Sequence, residues 1–159
     1  MSIRTLVVAN PRSAGGRGRR RLEAAWPRIE ALLAPSELAW TRGRGDAERL
    51  AREAVRAGFD RIVVAGGDGT TGEAVSGILA AGLGDRAELG LLPLGTGGDL
   101  VRFLGTPRTL IDAAEAIARS PWRQVDAGRV RLVDPHGRTV QRGFLNVASL
   151  GVSGLVTEL

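Results

Sequence analysis

Apolar and polar positions alternate between two periods along this chain. Short apolar runs recur at Ile3–Ala9, Glu37–Thr41, Ile62–Val64 and Leu89–Leu94. Each is followed by a turn rich in glycine or threonine, then by a segment with helical spacing. Runs that are apolar at consecutive positions suit strands buried on both faces, as in a parallel sheet. Helices are predicted from near Arg19 to Leu33, from Asp46 as cap through Ala57, from Thr70 as cap onward, and over Thr109–Arg119. In the second of these, Leu50, Ala54 and Val55 form an inner stripe, and Glu48–Arg52 and Arg49–Glu53 are i,i+4 pairs. Four strand–turn–helix units predict an α/β fold: a three-layer open sheet, mostly parallel, with glycine-rich loops at the strand C-termini. The pattern changes near Trp122. Arg123–Val133 alternates, residues 134–137 (D-P-H-G) are turn chemistry, and Thr139–Ser149 reads as a partner strand, the beginning of an antiparallel β domain. The expected division is residues 1–121 and 122–159.

Composition narrows the chemistry. The chain has 159 residues, 43% of them apolar, enough for one core. With no cysteine, disulfides, thiolate nucleophiles and Cys-ligated metals are excluded. All 22 basic residues are arginine. Without lysine, neither a P-loop, a protein-kinase site nor a pyridoxal Schiff base can be built. The net charge of +5 favours anionic partners, but aromatics at 4% leave few platforms for bases, so nucleic acid is not expected. No apolar run is long enough to span a bilayer, and the start M-S-I-R lacks the core of a signal peptide, so a cytoplasmic location is expected.

The candidate chemistry centres on R-I-V-V-A-G-G-D-G-T-T-G-E, residues 61–73. Gly66, Gly67 and Gly69 let the backbone turn sharply and admit a bulky anion to its N–H groups, and the helix that follows adds its dipole. Asp68 is out of place beside phosphate unless a divalent cation such as Mg²⁺ intervenes or the acid handles a proton; otherwise it bonds its own backbone in a plain turn. Glu73 also fits a capping box with Thr70. A second glycine turn, N-P-R-S-A-G-G-R-G at 10–18, offers Asn10 as an anchor and Ser13 with glycine amides to a phosphate. It lacks the third glycine of a dinucleotide fingerprint, because Arg21 stands there. Arg17, Arg19, Arg20 and Arg21 form a basic run that is either a solvated face or a contact to membrane or nucleotide. Thr41 ends a strand where open sheets bind ligands, though alone it reads as a turn residue. In the third turn Thr96 resembles a cap for Asp99, and Arg102 either braces Asp99 or meets a phosphate. His136, the sole histidine, reads as surface turn chemistry.

Taken together, N-P-R-S-A-G-G-R-G (10–18), G-G-D-G-T-T-G-E (66–73) and L-P-L-G-T-G-G-D-L-V-R (92–102) resemble the catalytic-domain family of diacylglycerol and sphingosine kinases. T-R-G-R-G-D-A (41–47), V-D-A-G-R-V (125–130) and F-L-N-V-A-S-L-G (144–151) extend the resemblance over nearly the whole chain. The resemblance implies an ATP-binding first domain and an antiparallel β domain that helps hold a lipid acceptor. It implies ATP contacts at Asn10, Ser13, Thr41, Gly67, Asp68, Gly69, Thr70, Thr71, Gly72, Glu73 and Thr96, with Asp68 catalytic, near Mg²⁺ and the γ-phosphate. Two positions depart from the family pattern, Gly98 and Ser76, where asparagine is usual. The family's proposed base lies in the later β domain, beyond Leu159.

The expected activity is Mg²⁺-dependent phosphoryl transfer from ATP to a lipid hydroxyl, with peripheral contact at a membrane surface. Two rivals are an NAD kinase or phosphofructokinase relative, which share a G-G-D-G loop, and a non-catalytic nucleotide-binding module. Exposed strands at the chain's end would favour pairing into a homodimer.

Overall fold

Four parallel strands, in the order β2-β1-β3-β4, form the central sheet of the computed structural model, which describes residues 2–82, 86–95, 98–134 and 136–145. The strands are β1 (Thr5–Ala9), β2 (Ser36–Trp40), β3 (Arg61–Gly66) and β4 (Glu88–Pro93). Between and after them come helices α1 (Gly18–Leu33), α2 (Asp46–Arg56), α3 (Asp68–Ala80), α4 (Asp99–Leu104) and α5 (Leu110–Arg119). An antiparallel hairpin of β5 (Gly128–Val133) and β6 (Thr139–Phe144) follows. This is the predicted three-layer architecture with its added antiparallel β structure.

The layering follows from strand alternation. Val7, Ala9, Val63 and Ala65 pack against α1 and α5, while Leu6, Val8, Ile62 and Val64 pack against α2 and α3. Val7, Val8, Ile62 and Val63 are fully buried. Each such side chain contributes about 1.5–3 kcal/mol, enough to offset the ~1–2 kcal/mol needed to order its own backbone. Arg61, opposite Glu88 in the β3–β4 register, bonds it at 2.9 Å and stacks its guanidinium on Trp122 at 4.9 Å.

Little of the hairpin is buried: Val133 is 70% exposed and Leu132 38%. Polar contacts dock it instead. The Gly143 N–H donates to Ser76 Oγ at 2.7 Å, Arg129 donates to Leu79 O at 3.1 Å, and Arg142 pairs with Glu48 at 3.0 Å.

Several boundaries differ from those predicted. β1 starts at Thr5 rather than Ile3, whose side chain is 40% exposed and adds nothing to the core. α2 is capped by Gly45, and Asp46 is its first residue; the Asp46 carboxylate turns back to accept the Arg42 N–H at 2.9 Å. α3 is capped by Gly67, not Thr70, so Thr70 lies within the first turn. β6 ends at Phe144, and the rest of the strand expected to Ser149 lies, after Leu145, outside the described residues.

α2 and α3 touch at Gly77, where an added Cβ would overlap Glu48 O and stand 3.0 Å from Arg52 N. Gly77→Ala should therefore force the helices apart and cost about 1–3 kcal/mol, the range for overpacking. Urea unfolding measures it; an unchanged midpoint would mean that the helices do not meet there.

Candidate functional site

β1 and β3 are neighbours, yet the chain leaves β1 toward the α1 face and leaves β3 toward the α3 face. Such a switch point opens a crevice at the C-terminal edge of an open α/β sheet. The ladder runs one residue past the strands on both sides of β1: Asn10 N–H donates to Ala65 O at 2.9 Å, and Thr41 N–H donates to Ala9 O at 2.8 Å. Asn10 spans the crevice. Its side-chain NH₂ donates to Thr70 Oγ1 at 3.1 Å, while its Oδ1 accepts the Arg12 N–H at 2.9 Å.

Over this crevice lies a cleft of about 440 Å³. It gathers Asn10, Ser13, Thr41, Gly67, Gly69, Thr70 and Glu73, all of them singled out in the sequence. Arg12, Arg42, Arg44 and Gly95 also line it and were not among the predicted site residues. A signal for the arginines existed in the R-G-R-G loop directly after β2 and in N-P-R-S after β1, but a basic loop reads the same whether it is solvated or folded over a cleft.

The first helical bond of α3 is from Thr71 N–H to Gly67 O at 3.1 Å, so the N–H groups of Asp68, Gly69 and Thr70 make no intrahelical bond. Gly67 provides no side chain to cap them. These donors and the positive end of the helix dipole suit an anion. The third loop closes directly over this turn, because a Cβ on Gly95 would stand 2.8 Å from Gly67 Cα and 3.2 Å from its N. Only glycine permits that approach.

Asp68 is the first residue of α3 and faces the third loop, its Oδ2 accepting the Asp99 N–H at 3.3 Å. It therefore bonds a distant backbone rather than its own. With Thr71, Gly95 and Gly98 it lines a side cavity of about 10 Å³ next to the cleft, roughly the space of one water. Thr71 Oγ1 donates to Gly67 O at 3.2 Å, and Gly72 O accepts from Ser76 Oγ at 2.9 Å. Thr71 and Gly72 support the turn from behind rather than lining the main cleft. Thr96 lies outside the described residues. Arg102 pairs with Asp99.

Glu73 does not close a capping box with Thr70. Its Oε1 accepts the Gly45 N–H at 2.8 Å and its Oε2 the Ala47 N–H at 3.3 Å, so it caps α2 from α3. Thr70 is in turn engaged by Asn10.

Among the described residues no three His, Cys, Asp or Glu side chains cluster as a metal site. A lone carboxylate suits Mg²⁺, which takes one or two protein carboxylates and fills its shell with phosphate oxygens and water. Asp68 Oδ1 accepts no hydrogen bond among the described residues, so the donor set at the turn fits such an ion.

An open parallel sheet with glycine-rich turns gathered over its C-terminal edge defines the class, and comparison with known proteins supplies the family. Residues 4–130 match the sequence profile of the diacylglycerol kinase catalytic domain. The protein named probable lipid kinase YegS-like of Chromohalobacter salexigens is 39% identical over 114 residues, which is 72% of this chain and 34% of that protein. The diacylglycerol kinase of Bacillus subtilis is 33% identical over 157 residues, 98% of this chain and 47% of the relative. A crystal structure of a diacylglycerol kinase from Bacillus anthracis superposes with a TM-score of 0.69 at 31% identity, over 80% of this chain and 44% of that one. The chain belongs to the diacylglycerol kinase catalytic-domain family and spans less than half the length of these relatives.

Burial pulls the Asp46 carboxyl pKa up, but the Arg42 N–H and the Arg49 guanidinium, 2.8 Å away, outweigh it and hold the group below its ordinary value of 3.8. A depressed folded-state pKa means stability that is present above 3.8 and is lost as pH falls through the lower folded value. Asp46→Asn should thus be less stable than wild type at neutral pH, and the gap should close in acid below that window. Thermal melts across pH would show it; a gap independent of pH would assign the loss to packing instead.

Proposed function

We propose that the cleft binds ATP together with Mg²⁺, and that the reaction served is transfer of the γ-phosphoryl group to a lipid hydroxyl. The observation that carries this reading is the convergence of the loops after β1, β2 and β3 on one cleft at the switch point. Family membership supports the lipid acceptor.

In this reading the amides of Gly69 and Thr70 hold phosphate oxygens, and Asn10 fixes the first loop against α3 so that both walls keep their spacing. The half-buried Ser13 and the buried Thr41 offer hydroxyl donors from the lining. Arg12, Arg42 and Arg44 offset the polyphosphate charge with guanidinium forks, which match phosphate geometry. Asp68 is the residue that would hold Mg²⁺. The ion would neutralise charge on the transferring group and orient it. Because phosphoryl transfer needs little covalent help, positioning and electrostatics carry most of the catalysis.

Residues 1–121 form the nucleotide-binding unit, and residues from 122 onward begin the domain that presents the acceptor. The exposed Leu132 and Val133 on the hairpin suit further β structure, including a second copy of the chain. No helix among the described residues is long and apolar enough to cross a membrane. Work at the cytoplasmic face, with peripheral contact, fits that reading.

Calorimetric titration with ATP, with and without Mg²⁺, is the direct test: binding should tighten with the ion in wild type and lose that dependence in Asp68→Ala. In transfer assays with labelled ATP, diacylglycerol should outcompete NAD and fructose 6-phosphate as acceptor. In a protein that carries the complete β domain, Asp68→Ala should lower turnover about a hundredfold or more, the scale for removing one electrostatic stabiliser, with an unchanged melting temperature. Unchanged turnover would remove Asp68 from the mechanism, and absence of ATP binding would end the reading of the cleft.

A further inference from the structure

We infer that Glu73 is a positioning residue for the nucleotide: through two backbone amides it holds the loop after β2, and with it Arg42 and Arg44, over the cleft. Its role toward ATP rests on the proposed reading of that cleft.

α2 cannot complete its own N-terminus. Its cap is Gly45, which has no side chain and a φ of 81°. The first acid of the helix, Asp46, is already taken up by the Arg42 N–H at 2.9 Å and by Arg49 at 2.8 Å. Orphan donors at a helix start then need an acceptor from elsewhere in the molecule. Glu73 supplies it from α3, with Oε1 on the Gly45 N–H at 2.8 Å and Oε2 on the Ala47 N–H at 3.3 Å. The other end of the loop is fixed to the sheet, where the Thr41 N–H donates to Ala9 O at 2.8 Å. Between these two anchors stand Arg42, Gly43 and Arg44, all exposed and all lining the cleft.

A carboxylate on the lining of a polyphosphate cleft repels the ligand unless its charge is engaged. Here each oxygen accepts from an amide, a task that needs two acceptors. Glutamine offers one acceptor oxygen, and its NH₂ would face an N–H donor. The carboxylate therefore sets where two guanidinium groups are presented, and those groups carry the attraction for the anion. Glu73 acts through the loop and needs no contact with the nucleotide.

Two measurements on Glu73→Gln test this. Trypsin, which cuts after arginine, should cleave after Arg42 and Arg44 faster than in wild type, because a loop released at one end opens more often, while cleavage after Arg12 keeps its rate. In calorimetric titration with ATP and Mg²⁺ the variant should bind about tenfold more weakly, the scale of one hydrogen bond to a charged group. Its dependence on Mg²⁺ should be unchanged. A merely structural role would cost the same in every background, so a double-mutant cycle separates the two. Glu73→Gln and Arg44→Gln should be non-additive by about fivefold, as for residues acting through one element, whereas Glu73→Gln and Arg12→Gln should add to within about twofold. Additive effects with Arg44→Gln, or an unchanged trypsin rate at the loop, overturn the inference while leaving the nucleotide site standing. So does a Glu73→Gln variant that binds ATP more tightly, the mark of simple charge repulsion, or one that loses its Mg²⁺ dependence, which would make Glu73 an ion ligand. Wild type that binds no ATP ends the reading of the cleft and this role with it.

Discussion

The site depends on two adjacent strands sending their chains to opposite faces of the sheet. β1 and β3 are paired from Thr5 opposite Arg61 to Ala9 opposite Ala65, and the next backbone bond, from Asn10 to Ala65, still belongs to that ladder. Beyond it the chains must part, because α1 packs on one face and α3 on the other. Parting leaves a gap that neither helix fills. The Asn10 side chain bridges it at the base through Thr70, so the crevice has a fixed floor and open walls. On the α3 side the N–H groups of Asp68, Gly69 and Thr70 make no intrahelical bond, whereas most amides of the loop after β1 are taken up by that loop's own turns.

The loop after β2 is tied to the helix that carries Asp68 by an unexpected use of Glu73. A carboxylate pointing from α3 to the N-terminus of α2 satisfies two donors that α2 could not satisfy itself. It thereby sets the loop between Thr41 and Gly45 from the same helix that carries Asp68. α2 and α3 are pressed together at Gly77 one turn further on, so this loop, its two arginines and the Asp68 turn are all held by the same pair of helices. Glu73 thus makes a structural contact and lines the cleft while doing so.

Most of the architecture was legible because the strands are buried on both faces and read as unbroken apolar runs. Helix starts were less legible. Thr70 has the chemistry of a cap, but a cap is decided by which group the side chain can reach, and Asn10, sixty positions away, takes its hydroxyl. Asp68 poses the same problem, since its partner is an amide 31 residues later. The cleft arginines Arg12, Arg42 and Arg44 could not be told from a solvated run, because spacing along a loop carries no record of the surface that the loop covers. In each case the missing information is a contact between segments distant in sequence, whereas the glycine turns themselves announce their conformation locally.

The two departures from the family's asparagines make the same point in energetic terms. At Ser76 the shorter side chain buries well, at 5% exposure, and its hydroxyl both accepts the Gly143 N–H and donates to Gly72 O. It therefore joins the hairpin to the back of the turn between β3 and α3 through one oxygen, and no buried polar group is left unpaired there. At Gly98 the backbone has φ 119° where α4 begins, further into positive φ than asparagine readily tolerates. An asparagine side chain at this position would require a different loop. The chain has thus exchanged a possible amide contact for a backbone shape that lets the Asp99 N–H reach Asp68, and the acid that anchors the proposed metal site is oriented by that shape.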